Sequence, residues 1–406
     1  MCRSSTSSSD TSLAAAFALR VVWFALPLLA LAVVIEVALY RSGESWTAGR
    51  VLADGVSSGE VIFGRQYVSQ QFNVFKLAAI ERRRPAFVTV GRSRVMQFRA
   101  FMFEPRATEF FNAGGLLRSA ADLEAYAELV VTGRVPAPQV VIAGIDPWWL
   151  SKGRADTSWL TSAHPTDAAV QFGDHVSVAR EILQRWDFPW RAAILGAGAR
   201  SPGFGYGAVG LAARLHGNGE RVSDGSHLYT DAIVEYVSRP IYRDREFPPI
   251  RDRVTMETAG FEASDGIDWD AAHRVVAALT RLRDSGVEVY GIEPPVSDEV
   301  ASLLSASSGL SRWWREYTTE FPRLCREANL SLFVAGSPST HGLDDRYMFD
   351  GMHPGEVFVA LMLEKMIAGA PAGSALAGID ARRLRTLRAA APIPLVFNVP
   401  DQPHLR

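Results

Sequence analysis

Only two cysteines, Cys2 and Cys325, occur among the 406 residues. With no CxxC pair, neither a disulfide framework nor a cysteine-built zinc site has its ligands. Scarcity of cysteine is compatible with an oxidising compartment but does not require one. The eight histidines show no metal-ligand spacing either. Basic charge is not in excess: the net charge is −2. No basic stripe is interleaved with aromatics, which argues against nucleic-acid binding. No internal repeat is present, so a solenoid is not indicated. Hydrophobic residues make up 48% of the chain and charged residues 21%. A packed core is therefore feasible, and wholesale disorder is not expected.

One long apolar run stands out. Val21 to Ile35 is uncharged, and apolar character resumes after Glu36 as Val37-Ala38-Leu39-Tyr40. About 20 helical residues cross a bilayer core, so 21–40 is expected to be a single transmembrane helix. A cleaved signal peptide is the alternative. The run is longer than a usual signal core, and no clear small-x-small cleavage site follows it. Arg3 and Arg20 precede the run and Arg41 and Arg50 follow it, so charge hardly biases the orientation.

The Ser-rich start places a disordered tail over 1–20, and 41–84 reads as a juxtamembrane linker ending in Arg82-Arg83-Arg84-Pro85. That cluster is either a lipid-phosphate contact or a solvated helix end. From residue 85 to 369 the pattern becomes α/β. Short apolar runs predict strands over 86–90, 109–112, 140–145, 287–292 and 331–335. Amphipathic stretches predict helices over 119–131, 269–284, 313–328 and 356–367. Alternation of this kind implies a mostly parallel sheet covered on both sides, with ligands at the carboxyl ends of its strands. Residues about 150–265 are less regular and read as an insertion bordering the site. The Ala/Pro-rich stretch 370–406 reads as a peripheral tail.

Chemistry concentrates at predicted strand ends. Gly91-Arg92-Ser93 follows the first strand, where Ser93 is either a helix N-cap or a presented nucleophile beside backbone N–H groups. Asp350-Gly351-Met352-His353 precedes the last helix. It is either an ordinary turn or a carboxylate holding an imidazole in one tautomer. Several other residues are candidates for contact with substrate. Arg92 or Arg94 suits a carboxylate, or else an internal ion pair. Trp148 and Trp149 suit a sugar ring, or else core packing. Asp224 and His227 border the site, or else form a simple turn. Glu293-Pro294-Pro295 would make a rigid loop at the cleft, and Cys325 fits the core.

This arrangement resembles the SGNH (GDSL-like) hydrolase superfamily over about residues 85–369. There, a Gly-x-Ser follows the first strand and an Asp-x-x-His precedes the last helix. The resemblance implies a three-layer α/β/α fold with Ser93 as nucleophile, His353 as base and Asp350 as its orienting partner. It also implies an oxyanion hole from the Ser93 and Gly114 amides, and no metal or organic cofactor. In the family a Gly-x-Asn-Asp block supplies a donor to the oxyanion. Gly144-Ile145-Asp146-Pro147 falls there with Asp146 in place of Asn, and an ionised carboxylate cannot donate. With its anchor, the chain is most similar to membrane-anchored envelope proteins of the superfamily. Some of these work beside a membrane-bound O-acyltransferase on polysaccharides or teichoic acids. That implies an inner-membrane protein with an exported domain and an acyl-ester or glycan substrate. A plain anchored esterase and a catalytically silent glycan-binding or scaffold protein are the alternatives.

Overall fold

A computed structural model describes residues 8–54, 60–67, 72–153, 156–160, 178–182, 184, 188–195, 200–238 and 247–400. The first seven residues, the stretch 161–177 of the expected insertion and the last six residues lie outside that set.

Five strands form one parallel sheet: β2 (Phe87–Gly91), β3 (Phe110–Gly114), β4 (Val140–Gly144), β8 (Glu288–Glu293) and β9 (Ser331–Val334). Their order is β3-β2-β4-β8-β9. Each falls within two residues of its expected position, because each is a short run rich in β-branched or aromatic residues; β2, β3, β4 and β8 are buried, and the edge strand β9 is half-exposed. The period of two separates the faces. Val88, Val90, Val141 and Ala143 join one hydrophobic core, and Phe87, Val140, Ile142 and Ile292 the other. The first core takes helix α4 (Ala120–Val131) and the helix Trp269–Asp284. The second takes the helix Glu356–Gly369. Ser119 caps α4 by accepting from the Asp122 N–H, and Asp268 caps Trp269–Asp284 by accepting from the Ala271 N–H. Val275, Leu279 and Leu282 bury one face of the latter helix. Each is worth about 1.5–3 kcal/mol relative to exposure. The expected helix over 313–328 contains a π-helical stretch, Glu316–Glu320, between Ser311–Arg315 and Phe321–Glu327.

Two expectations fail. The stretch 41–84 is not a linker. It supplies α2 (Ala48–Asp54), β1 (Val61–Phe63) and α3 (Phe72–Arg83), and Val51, Phe63, Phe75 and Ile80 are buried in the main core. Strand β1 pairs with β5 (Gly207–Val209) in parallel and β6 (Gly219–Arg221) antiparallel, and β7 (His227–Leu228) completes this small sheet. The C-terminal tail is not peripheral either: Leu376, Leu384, Leu395 and Val396 are buried against the domain.

The small sheet is fastened to the exposed edge of the large one. The Asn112 N–H of β3 donates to Asp224 O (2.7 Å). Buried Lys76 on α3 donates to Asn112 O and Gly225 O and pairs with Glu220 of β6. Arg83 donates to the carbonyls of Val222 and Ser223, so it acts as a tie to this loop.

Helix α1 runs Ser8–Ser42, so much of the expected disordered tail is helical. Its stretch Leu13–Ser42 is long and apolar enough to cross a bilayer. Phe17, Trp23, Phe24 and Leu28 are exposed, whereas Ile35, Ala38 and Leu39 are buried against the domain.

Candidate active site

Glycine makes the turn after β2 possible. Gly91 has φ +147°, and a Cβ there would meet Gly144 O at 3.0 Å and Val95 Cγ2 at 3.1 Å. A Cβ on Gly144 would overlap the Val95 side chain. The two glycines thus let Val95 seat beneath the 3-10 turn Ser93–Val95. Ser93 opens that turn, but its hydroxyl does not cap it. Ser93 Oγ lies 2.8 Å from His353 Nε2.

His353 Nδ1 lies 2.8 Å from Asp350 Oδ2. A carboxylate only accepts, so Nδ1 carries the proton and Nε2 accepts from the serine hydroxyl. Asp350 Oδ1 also accepts from the Met352 and His353 N–H groups, at 2.7 Å each. The Asp-x-x-His turn thereby folds around its own carboxylate. Burial opposes charge on both groups, but the pairing outweighs it. The Asp350 charge and hydrogen bond hold His353 above its ordinary 6.5. The imidazole and the backbone N–H donors hold Asp350 below its ordinary 3.8.

Arg92, Arg94, Asp146 and Trp148 line the same cleft as Ser93 and His353, a solvent-open space of about 550 Å³. The two arginines beside Ser93 have opposite environments. Arg94 is buried; it donates to Asp146 Oδ1 (2.9 Å), Met352 O (3.2 Å), Pro294 O (2.6 Å) and Pro295 O (2.7 Å). It therefore joins the Ser93 turn to the His353 turn and to the loops after β4 and β8. The Arg92 side chain makes no hydrogen bond or ion pair with any described residue, and its guanidinium lies 5.9 Å from the centre of the Trp148 ring. Trp148 packs edge-to-face on Phe261 (5.7 Å) and faces the cleft, whereas Trp149 is buried in the core.

Three expected site residues have other tasks. The Gly114 N–H donates to Asn112 Oδ1 at 2.7 Å, so it is not free for an oxyanion. Asp224 is buried and accepts from Arg99 Nε (3.1 Å), the Ala100 N–H (3.0 Å) and Ser226 Oγ (2.6 Å). His227 Nδ1 bonds Glu220 Oε1 at 2.9 Å. Both residues anchor the hairpin of the small sheet and are absent from the cleft wall. The Ser93 N–H, by contrast, has no acceptor among the described residues.

Other residues of the wall carry no sequence signal. Ile250, Arg253 and Phe261 close the cleft from the irregular stretch before residue 265. Behind the site, Glu293 is buried without a partner for Oε2, and burial pushes its carboxyl up to about 8. Among the described residues no group of three His, Cys, Asp or Glu side chains is placed to hold a metal ion. Neither a protein-family model nor a curated protein sequence matches the chain.

Proposed function

We propose that this chain is a membrane-anchored, SGNH-like serine enzyme that transfers or hydrolyses acyl esters. The observation that carries this reading is the unbroken chain from Ser93 Oγ through His353 to Asp350, with both links at 2.8 Å. Ser93 Oγ attacks the acyl carbonyl and its proton passes to His353 Nε2. The tetrahedral intermediate collapses, the leaving alkoxide takes that proton, and Ser93 keeps the acyl group as an ester. A second hydroxyl, or water, then gives its proton to His353 and attacks the ester; the new tetrahedral intermediate collapses, His353 returns the proton to Ser93 Oγ, and the acceptor carries the acyl group away. The Ser93 N–H is the oxyanion donor at hand.

An uncleaved α1 is supported by the burial of its last turns in the domain. With it the site stands beside an inner membrane, on the exported side. There the acyl donor can be a membrane-bound O-acyltransferase and the acceptor an envelope glycan.

A specific observation favours the second reading, a silent glycan-binding or scaffold protein. With the Gly114 N–H bound to Asn112 and Asp146 bound to Arg94, the oxyanion position is short of donors. Labelling of the detergent-solubilised full chain with a fluorophosphonate separates the two. The enzyme reading expects labelling that is lost in both Ser93→Ala and His353→Ala. Wild-type protein that is folded yet unlabelled supports the silent reading.

A further inference from the structure

A second cleft, of about 520 Å³, adjoins the one at Ser93, and Arg92 and Trp148 belong to the walls of both. Its far wall carries Arg118 and Ser119 at the start of α4. Two acidic residues also line it, but each has a task already. Asp156 accepts from the Ala121 N–H and pairs with Arg274, and Asp268 caps the helix Trp269–Asp284.

The second cleft carries Arg92 and Arg118 against Asp156 and Asp268, but the arginines around the two clefts differ in their partners. Arg94 is neutralised by Asp146. Arg92 has no carboxylate partner among the described residues. Arg253, in the first cleft, donates only to Ala259 O among them. A guanidinium left without an acceptor at the junction of two clefts is set for an oxyanion, carboxylate or phosphate, arriving with a ligand. The adjacent indole offers a face for the ring that bears it.

We propose that the second cleft is an anion-binding subsite, with Arg92 as the residue that grips a carboxylate or phosphate on the unit next to the one reacting at Ser93. The ligand is then an acidic saccharide or a phosphate-bearing polyol. This rests on the proposed reaction only for the word reacting; anion binding itself does not require a nucleophilic Ser93.

The test uses the full-length chain in detergent and three probes: a glucuronate disaccharide, glycerol phosphate and neutral cellobiose. Binding is measured by calorimetry, and protection of Ser93 from fluorophosphonate in parallel. At least one anionic probe should bind tenfold or more tightly than cellobiose, and its affinity should fall as salt is raised. Arg92→Gln should abolish that preference and Arg92→Lys should keep part of it, each with an unchanged melting profile. A tighter uronate assigns a carboxylate ligand, and a tighter glycerol phosphate assigns a phosphate. Equal binding of neutral and anionic probes, or a preference that survives Arg92→Gln, overturns the subsite. The salt response of the wild type decides the matter even if the variants fold poorly. Anion preference without labelling retains the subsite and removes the serine reading; labelling without anion preference does the reverse.

Discussion

Arg94 Nη1 lies 2.9 Å from Asp146 Oδ1, and both side chains are almost fully buried. This pair joins the turn after β2, which presents Ser93, to the loop after β4. Asp146 stands where a donor to the oxyanion was expected, but it accepts from an arginine instead. Its charge is compensated, so no bare carboxylate opposes an oxyanion at Ser93. In the proposed reaction the pair positions the cleft and takes no direct part.

Asp146→Asn tests that role. The substitution keeps the size of the side chain but leaves the Arg94 charge without its counterion. Three carbonyl acceptors still hold the guanidinium, so the fold should survive. Breaking one side of a buried pair costs about 3–5 kcal/mol. A fall in melting temperature of several degrees is expected. A variant as stable as the wild type would show that the carbonyls alone hold Arg94.

In the proposed reaction His353 sets the pH dependence. Its pKa lies above 6.5 through Asp350, and a general base must be unprotonated. Labelling of Ser93 should therefore rise with pH through a midpoint above 6.5 and be lost below it. Asp350→Asn removes the influence that raises the midpoint and leaves burial to lower it. The midpoint should shift downward, and the rate at its plateau should fall about 10⁴-fold, as for loss of the orienting carboxylate elsewhere. The stability linkage runs oppositely. The raised pKa of His353 contributes stability that is complete below 6.5 and is lost as pH rises through the folded value.

Glu293 makes a separate prediction. Its carboxyl is pushed up to about 8 by burial, against an ordinary 4.5. The folded chain then holds a proton that the unfolded chain releases. Stability should decline between pH 4.5 and 8, with the full contribution present below 4.5. Glu293→Gln removes this dependence. Thermal melts of the two proteins should nearly coincide at pH 4.5 and separate by several degrees at pH 8, with the variant higher. Parallel melting curves across the range would mean that Glu293 is ionised in the folded state.

The large sheet was legible because each of its strands is a short, mostly apolar run, and four of the five are buried, with the edge strand β9 partly exposed. Ser93, Asp350 and His353 were legible because their neighbours prescribe the backbone, with glycine before Ser93 and an Asp-Gly turn before His353. The small sheet was not. Strands β1, β5 and β6 have three residues each, too few for a periodic signal, and β1 meets partners near residues 207 and 221. The engagement of the Gly114 N–H was also invisible. It depends on the rotamer of Asn112, whose amide donates to the Val95 and Phe98 carbonyls (2.9 Å each) while its oxygen accepts from Gly114. Asp224 and His227 looked like site residues because a polar loop motif reads the same whether it faces a ligand or locks a hairpin.

Glu44 governs how the domain meets the long apolar helix α1. It follows α1 by two residues and is fully buried. Its carboxylate accepts from the N–H groups of Gln66 (3.0 Å), Tyr67 (3.3 Å) and Leu211 (2.5 Å). Two separate chain segments, 66–67 and 211, thus converge on the end of α1, and the domain is tied to that helix. Glu44→Ala leaves those N–H groups without their shared acceptor. Each buried unsatisfied group costs about 1–3 kcal/mol, so the loss should be severe. Glu44→Gln retains one acceptor oxygen and should lose less. Limited proteolysis of the membrane-bound protein reads the outcome: cleavage between residues 42 and 68 should speed up at least tenfold in Glu44→Ala, with Glu44→Gln in between. Equal rates in all three proteins would mean that packing of Ile35, Ala38 and Leu39 holds the junction without the carboxylate.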